Sequence, residues 1–143
     1  MSNEMQSRRR FLALLPALSV VIAAGGRRAW AWPVRAGGTG KHPDPRPGVD
    51  ASRVLKREQL TEHPEAAPVF DMVREMPQIA DGIRCTCGCA EDPDFRSLLS
   101  CFEGEGMAQM CQVCQAQAKL ASKLHRRGKS LKQIRAAIDA EFG

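Results

Sequence analysis

Six cysteines in the second half of the chain are the residues whose type and spacing point to chemistry. Three alternate with other residues in "CTCGC", one stands alone further on, and two form a C-x-x-C pair; they are Cys85, Cys87, Cys89, Cys101, Cys111 and Cys114. Thr86 and Gly88 are small, so the chain there can curl and turn alternate sulfurs towards one centre. Thiolates are soft ligands that select Cu(I), zinc or iron–sulfur clusters. The spacing therefore predicts a soft-metal site.

The choice of metal depends on how the sulfurs are shared. A structural zinc site takes four ligands, typically from C-x-x-C pairs, and this chain has one such pair. Six thiols can instead share bridging sulfurs around two zinc ions or a small Cu(I) cluster. Met107 and Met110 lie nearby in the sequence and, together with the C-x-C-x-C run, favour Cu(I), although methionine on a helix face also fills cores; Met107 is a candidate additional ligand. We expect Cu(I) or zinc, with an iron–sulfur cluster as a further alternative.

Two other uses of the cysteines stay open. In a small exported domain, an even number of cysteines indicates a disulfide framework by default, and the protein would then be a stapled interaction module. Against this, disulfides within C-x-C are disfavoured by the Cα spacing that the bond requires. Cys111 and Cys114 are also the motif of a dithiol oxidoreductase, whose reactive thiol has a pKa lowered by a helix N-terminus. Because no βαβ pattern accompanies the pair, we prefer a protein that is not an enzyme.

The elements that must position these thiols are predicted to be helices. The folded part begins near Pro64, and Pro68 suits a first helical turn. Apolar residues then recur at helical spacing; they are Val69, Met72, Val73 and Met76. We expect Pro77 to end this helix.

A longer helix is predicted over residues 107–127, with Gly128 as its C-terminal cap. Cys111 and Cys114 lie one turn apart on it and share a face. The residues predicted to pack inward are Val113, Leu120 and Leu124. We expect the 85–89 loop to face this pair, with Cys101 closing the cage.

Ser130 and Gln133 form a capping-box pattern that begins the last helix. Its apolar side carries Leu131, Ile134, Ile138 and Phe142. No segment reads as a convincing strand. The predicted fold class is therefore all-α, a small cysteine-rich bundle of three or four short helices in residues 64–143. A core of this size is marginal without a cross-link or a metal.

The N-terminal part of the chain has a different composition. Residues 1–31 combine "SRRRFL", a short apolar run and an A-x-A cleavage pattern, and resemble a twin-arginine export signal. The apolar run over residues 11–24 is too short to cross a hydrocarbon core of roughly 30 Å. Residues 32–63 contain the Pro- and Gly-rich "WPVRAGGTGKHPDPRPG", which predicts a flexible, disordered tether.

The net charge of +5 does not indicate a nucleic-acid-binding protein. Residues 1–31 hold five arginines and one glutamate, which leaves 16 basic against 15 acidic side chains in the rest of the chain. A basic run over residues 119–135 lacks the aromatic stacking groups that such binding needs. We expect a solvated helix face there and no nucleic-acid partner.

The cysteine motifs also resemble those of a known family. "REMPQIADGIRCTCGCA", "SLLSCF", "CQVC" and "GKSLKQIRAAIDAEFG" are similar to the exported bacterial PCYCGC-motif proteins, whose function is unknown and which are often lipoproteins. The resemblance covers residues 69–143 and implies that all six cysteines define the family. Arg84 and Thr86 replace the proline and tyrosine of the motif. No cysteine follows the apolar run of the signal, so we expect no lipid anchor.

These features together predict an exported, periplasmic or extracytoplasmic protein that binds Cu(I) or zinc for sequestration, delivery or resistance. Its expected partners are the metal ion and a protein that donates or accepts it. The twin-arginine translocase is a further expected partner during export, and no stable membrane anchor is expected after cleavage.

Overall fold

The computed structural model describes residues 40–143, and within them the protein is all-α, as predicted. Four α-helices are present in this part of the chain: α1 (Ala67–Arg74), α2 (Pro77–Asp81), α3 (Gln112–Arg126) and α4 (Leu131–Phe142). Short 3-10 turns connect them, and Val54 and Glu103 form an isolated β-bridge. None of the helices in the described residues is both long enough and apolar enough to cross a membrane. The predicted export signal, residues 1–31, lies outside the described residues.

Helix α1 follows the predicted apolar pattern and ends earlier than expected. Pro68 lies in its first turn, and Val69 and Val73 are buried on its inner side. The helix ends at Arg74, and Pro77 begins α2 instead of ending α1. A proline suits the first turn of a helix because its missing N–H would have no partner inside the helix there.

Helix α3 begins five residues later than predicted. Residues Met107–Gln109 form a separate 3-10 turn, and Cys111 is the N-cap of α3. The buried face consequently carries Cys114, Gln117, Ala118 and Ala121. Val113 was predicted to pack inward and is instead 37% exposed, because it lies about 100° round the helix from Cys114.

Both predicted caps at the junction of α3 and α4 are confirmed. Gly128 has a φ of 72°, and the N–H of Lys129 donates to the carbonyl of Leu124 at 3.1 Å, which closes α3 as a Schellman motif. Ser130 and Gln133 form the reciprocal capping box of α4. Ile134 and Ile138 of α4 are buried, as predicted.

The core joins α1 to the turn that contains Cys101. The rings of Phe70 and Phe102 meet edge to face, with their centroids 4.8 Å apart. Cys85, Cys101 and Cys114 belong to the same buried cluster as these rings. The thiols are therefore part of the hydrophobic core.

The prediction of a flexible tether is wrong for residues 40–63. Val54 and Leu60 are buried in the core, and Arg46 binds the buried carboxylate of Asp81. His42 accepts a hydrogen bond from the backbone N–H of Arg84 at 3.0 Å. Composition missed this because a few well-placed apolar and charged anchors hold the segment, and its prolines lose little entropy on folding.

Candidate metal centre

Three sulfur atoms converge between the cysteine loop and the start of α3. The Sγ atom of Cys85 lies 3.2 Å from that of Cys87 and 3.3 Å from that of Cys114, and the third side of the triangle is 3.7 Å. All three are free thiols; Cys85 and Cys114 are buried and Cys87 is half-buried. A tetrahedral zinc ion with Zn–S bonds of about 2.3 Å separates its sulfurs by about 3.8 Å. A small outward shift of these thiols thus makes room for a metal ion.

The loop places its sulfurs by a turn and two hydrogen bonds to the core. Gly88 adopts a φ of 95°, which is favourable for glycine and lets the chain turn between Cys87 and Cys89. The N–H of Thr86 donates to the side-chain oxygen of Gln117 on α3 at 3.3 Å. The backbone of Ile83 accepts a hydrogen bond from Leu98 at 2.7 Å, which joins the two ends of the loop.

Asp81 anchors the loop from beneath. Its wholly buried carboxylate accepts hydrogen bonds from the backbone and guanidinium of Arg46, the guanidinium of Arg96 and the hydroxyl of Ser97. Burial raises the pKa of Asp81, but the hydrogen bonds from Arg46 and Ser97 outweigh it, so the pKa lies below its usual value. Nothing in the sequence marked Asp81 as more than one of many surface charges.

Cys101 lies against the three converging thiols. It is buried, and its thiol lies 3.9 Å from the carbonyl oxygen of Ser97. Its thiol is close enough to those of Cys85 and Cys114 to perturb the pKa of both. The group whose sulfurs all lie within 4.8 Å of one another nevertheless consists of Cys85, Cys87 and Cys114.

Cys89 extends the cluster towards the surface. Its Sγ lies 2.7 Å from that of Cys87 and 3.2 Å from the Sδ atom of Met107. Met107 was predicted to lie on the same helix as Cys111, and it lies instead in the separate 3-10 turn. The structure thus brings the thioether to Cys89 and not to the C-x-x-C pair.

Cys111 is one of the predicted site residues that lie outside the group of three converging thiols. As the N-cap of α3, its Sγ accepts a hydrogen bond from the backbone N–H of Cys114 at 3.4 Å. The prediction that Cys111 and Cys114 share a helical face is wrong, because Cys111 has an extended conformation and precedes the helix. The C-x-x-C spacing does not indicate that the two cysteines have different roles.

The thiols perturb one another's ionisation. Interaction with the thiols of Cys101, Cys114 and Cys87 holds the pKa of the Cys85 thiol well below its usual value. Hydrogen bonding with Cys101, Cys85 and Cys87, together with burial, raises the pKa of Cys114. A metal ion that binds here must therefore displace the proton that Cys114 keeps.

Two buried polar atoms beside the thiols have no hydrogen-bond partner among the described residues: Thr86 Oγ1 and Gln117 Nε2. Thr86 lies between two loop cysteines, and Gln117 lies one turn after Cys114 on the buried face of α3. Hydrogen-bond donors near a thiolate stabilise its charge and tune a bound metal. A glutamine on the buried face of a helix is the sequence signal that could have identified Gln117.

Comparison with known proteins places the chain in a family. Residues 50–143 match the family described as "Protein of unknown function with PCYCGC motif". The match covers more than half of the chain and includes all six cysteines. No curated protein and no solved structure matches the chain. The protein therefore belongs to the PCYCGC-motif family, whose function is unknown.

Proposed function

We propose that the protein binds a soft metal ion, Cu(I) or zinc, through Cys85, Cys87 and Cys114, and serves in metal sequestration, delivery or resistance. The observation that carries this proposal is the convergence of three free thiols from two separate segments within 4.8 Å. Bringing such thiols together in a core is costly when they ionise without a counter-charge. A shared cation removes that cost.

Disulfide bonding is the main alternative for these sulfurs. Cys85 lies at nearly equal distances, 3.2 and 3.3 Å, from Cys87 and Cys114. A disulfide joins one sulfur to one partner, whereas a metal centre needs several donors at similar distances. The equal spacing around Cys85 favours a metal over a defined disulfide partner for that sulfur.

Native mass spectrometry of the full-length protein, purified without chelator or oxygen, tests the proposal. We expect retained metal, or stoichiometric uptake of added Cu(I) or zinc, and six thiols that alkylate after the metal is removed. A protein that lacks two hydrogens per cysteine pair and takes up no metal would contradict the proposal and favour the disulfide framework.

A second candidate function is dithiol exchange, and one observation favours it. Cys111 Sγ lies at the start of α3, 3.4 Å from the backbone N–H of Cys114, and is half-buried. In such a reaction the Cys111 sulfur attacks a substrate disulfide to form a mixed disulfide, and Cys114 then displaces the substrate, which leaves reduced as the Cys111–Cys114 disulfide forms. Cys111→Ser separates the two functions: it abolishes insulin reduction if the protein is an oxidoreductase and spares metal binding if the first proposal holds.

We propose in addition that residues 1–31 direct export by the twin-arginine route, which carries folded proteins and would allow metal to be loaded beforehand. The support is the "SRRRFL" sequence before a short apolar run. Replacing Arg8 and Arg9 by lysine should retain the protein in the cytoplasm. Replacing Arg27 and Arg28 in the same way is the matched control. Equal export of both variants would count against this route.

A partner protein that donates or accepts the metal outside the cytoplasm completes the proposal.

A further inference from the structure

The cluster has an outer end that differs in chemistry from its buried part. Cys89 Sγ lies 2.7 Å from Cys87 Sγ, and on its other side it lies 3.2 Å from the Sδ atom of Met107. Sulfur contacts thus run without a break from Cys85 in the core, through Cys87 and Cys89, to a thioether at the surface. The outer pair is a thiol and a thioether, whereas the inner group contains thiols alone.

Core packing does not account for the position of Met107. Its side chain is 40% exposed, in a three-residue turn whose buried anchor is Ala108. Exposing part of a large apolar side chain gives up part of the stabilisation that burying it would provide. Gly106, with a φ of 63°, turns the chain just before Met107. The contact between Met107 and Cys89 is therefore the feature of this residue that needs a chemical explanation.

A surface cavity of about 640 Å³ reaches one member of this outer pair, since Met107 lines it together with Met110. The acidic residues that line it are Glu62, Asp94, Glu103 and Glu105, and the basic ones are Arg53 and His63. Arg53 lies 4.0 Å from Glu103, so much of its positive charge is offset by that carboxylate in the cavity wall. An excess of carboxylates in a concave wall raises the local concentration of cations.

We propose that Cys89 and Met107 form an outer Cu(I) position, joined to the buried thiols by Cys87, through which Cu(I) enters and leaves the protein. This inference rests on the proposed metal-binding function and assigns Cu(I) as the metal that is exchanged. Zinc in proteins is bound by cysteine, histidine and carboxylate ligands, whereas a soft thioether suits Cu(I). The flexible, exposed side chain of Met107 can open and close this position without disturbing the core.

The test compares Met107→Leu with Met110→Leu in the reduced full-length protein. Met110 lines the same cavity and is 72% exposed, and its thioether makes no sulfur contact among the described residues, so it is the matched control. The protein is loaded with Cu(I) from its acetonitrile complex, and transfer to a chromophoric Cu(I) chelator is followed in a stopped-flow instrument. We expect transfer about tenfold slower for Met107→Leu and unchanged for Met110→Leu, with the zinc affinity of both variants equal to that of the wild type.

A second measurement uses the wild-type protein and does not depend on a variant's folding. With methionine labelled by ¹³C at the methyl group, added Cu(I) should shift the Met107 resonance and leave the Met110 resonance in place, while zinc should shift neither. Equal transfer rates for both leucine variants, or an unshifted Met107 resonance in Cu(I)-loaded protein, would overturn the outer position alone. A wild-type protein that binds neither metal would instead overturn the proposed function.

Discussion

The two cysteine motifs of this protein use their sulfurs in different ways. In the C-x-C-x-C loop, all three cysteines make sulfur contacts, and the contacts pass from Cys85 to Cys87 to Cys89. In the C-x-x-C pair, Cys114 joins the converging thiols, while Cys111 caps α3. A loop without regular hydrogen bonding can turn its side chains to one centre, whereas the start of a helix imposes a fixed role on its first residue. Motif spacing alone therefore does not tell how many ligands a motif supplies.

The largest effect that would test this contrast is on metal affinity. Cys114→Ser removes one of three converging sulfurs, so we expect the affinity for Cu(I) or zinc to fall by at least about 100-fold, beyond the loss typical of an outer-shell change. Cys111→Ser should retain the wild-type affinity within about threefold, because that thiol lies outside the converging group. Competition with a chromophoric chelator measures both, and circular dichroism confirms that both variants fold. Equal losses of metal affinity in the two variants would contradict the inference that Cys114 is a ligand and Cys111 is not.

The pH dependence of metal binding should follow from the thiols that stay protonated. The raised pKa of Cys114 means that a metal ion must displace its proton at neutral pH. The apparent affinity should therefore increase with pH, by about tenfold per pH unit for each proton released, and bound metal should be lost on acidification. Chelator competition between pH 6 and pH 8 measures the slope, to be compared with proton release on metal addition in weak buffer. An affinity that does not change with pH would argue that the thiols are already ionised or oxidised.

The loop also depends on a buried anchor, whereas the start of α3 is fixed by its own cap. Asp81→Asn weakens the charged hydrogen bonds to Arg46 and Arg96, and we expect the free energy of unfolding to fall by about 2–3 kcal/mol. Because the pKa of Asp81 is depressed in the folded protein, its contribution is present above the unfolded pKa of about 3.9 and is lost as the pH falls below about 4. Urea unfolding at pH 7 and pH 3.5 measures both effects.

The matched control for Asp81 is Asp139→Asn. Asp139 is exposed, and its carboxylate lies 3.0 Å from His42. A surface pair of this kind contributes about 0–1 kcal/mol, so the variant should unfold nearly as the wild type does at both pH values. If Asp81→Asn behaves like Asp139→Asn, the buried network does not hold the loop.

The smallest predicted effect concerns the cap itself. Serine is a preferred N-cap, so Cys111→Ser should keep or slightly raise the free energy of unfolding. Cys111→Ala removes the acceptor for the N–H of Cys114 and should lower that free energy by about 0.5–1 kcal/mol. Urea unfolding of the two variants measures this difference. If Cys111 were an essential ligand, both substitutions would lower the free energy of unfolding of the metal-bound protein equally.

Features that depend on neighbours in the chain were predictable. The all-α class, the Ser130 capping box and the Gly128 cap follow from local patterns of apolar, capping and glycine residues, and all three are confirmed. The predicted helix boundaries were wrong where one local pattern is compatible with two structures. Pro77 can follow a helix or begin one, and the 107–127 pattern can be one helix or a 3-10 turn followed by a shorter helix.

The sequence by itself determined the number of thiols, their soft-ligand chemistry and the all-α class, because these properties depend on residue type and on contacts within a few positions. The tertiary structure decided that Cys85, Cys87 and Cys114 meet while Cys111 does not, and that residues 40–63 pack on the bundle. It also buried Asp81 beneath the loop and brought Met107 to Cys89. Such contacts join residues far apart in the chain, and they form only when the whole core packs at once.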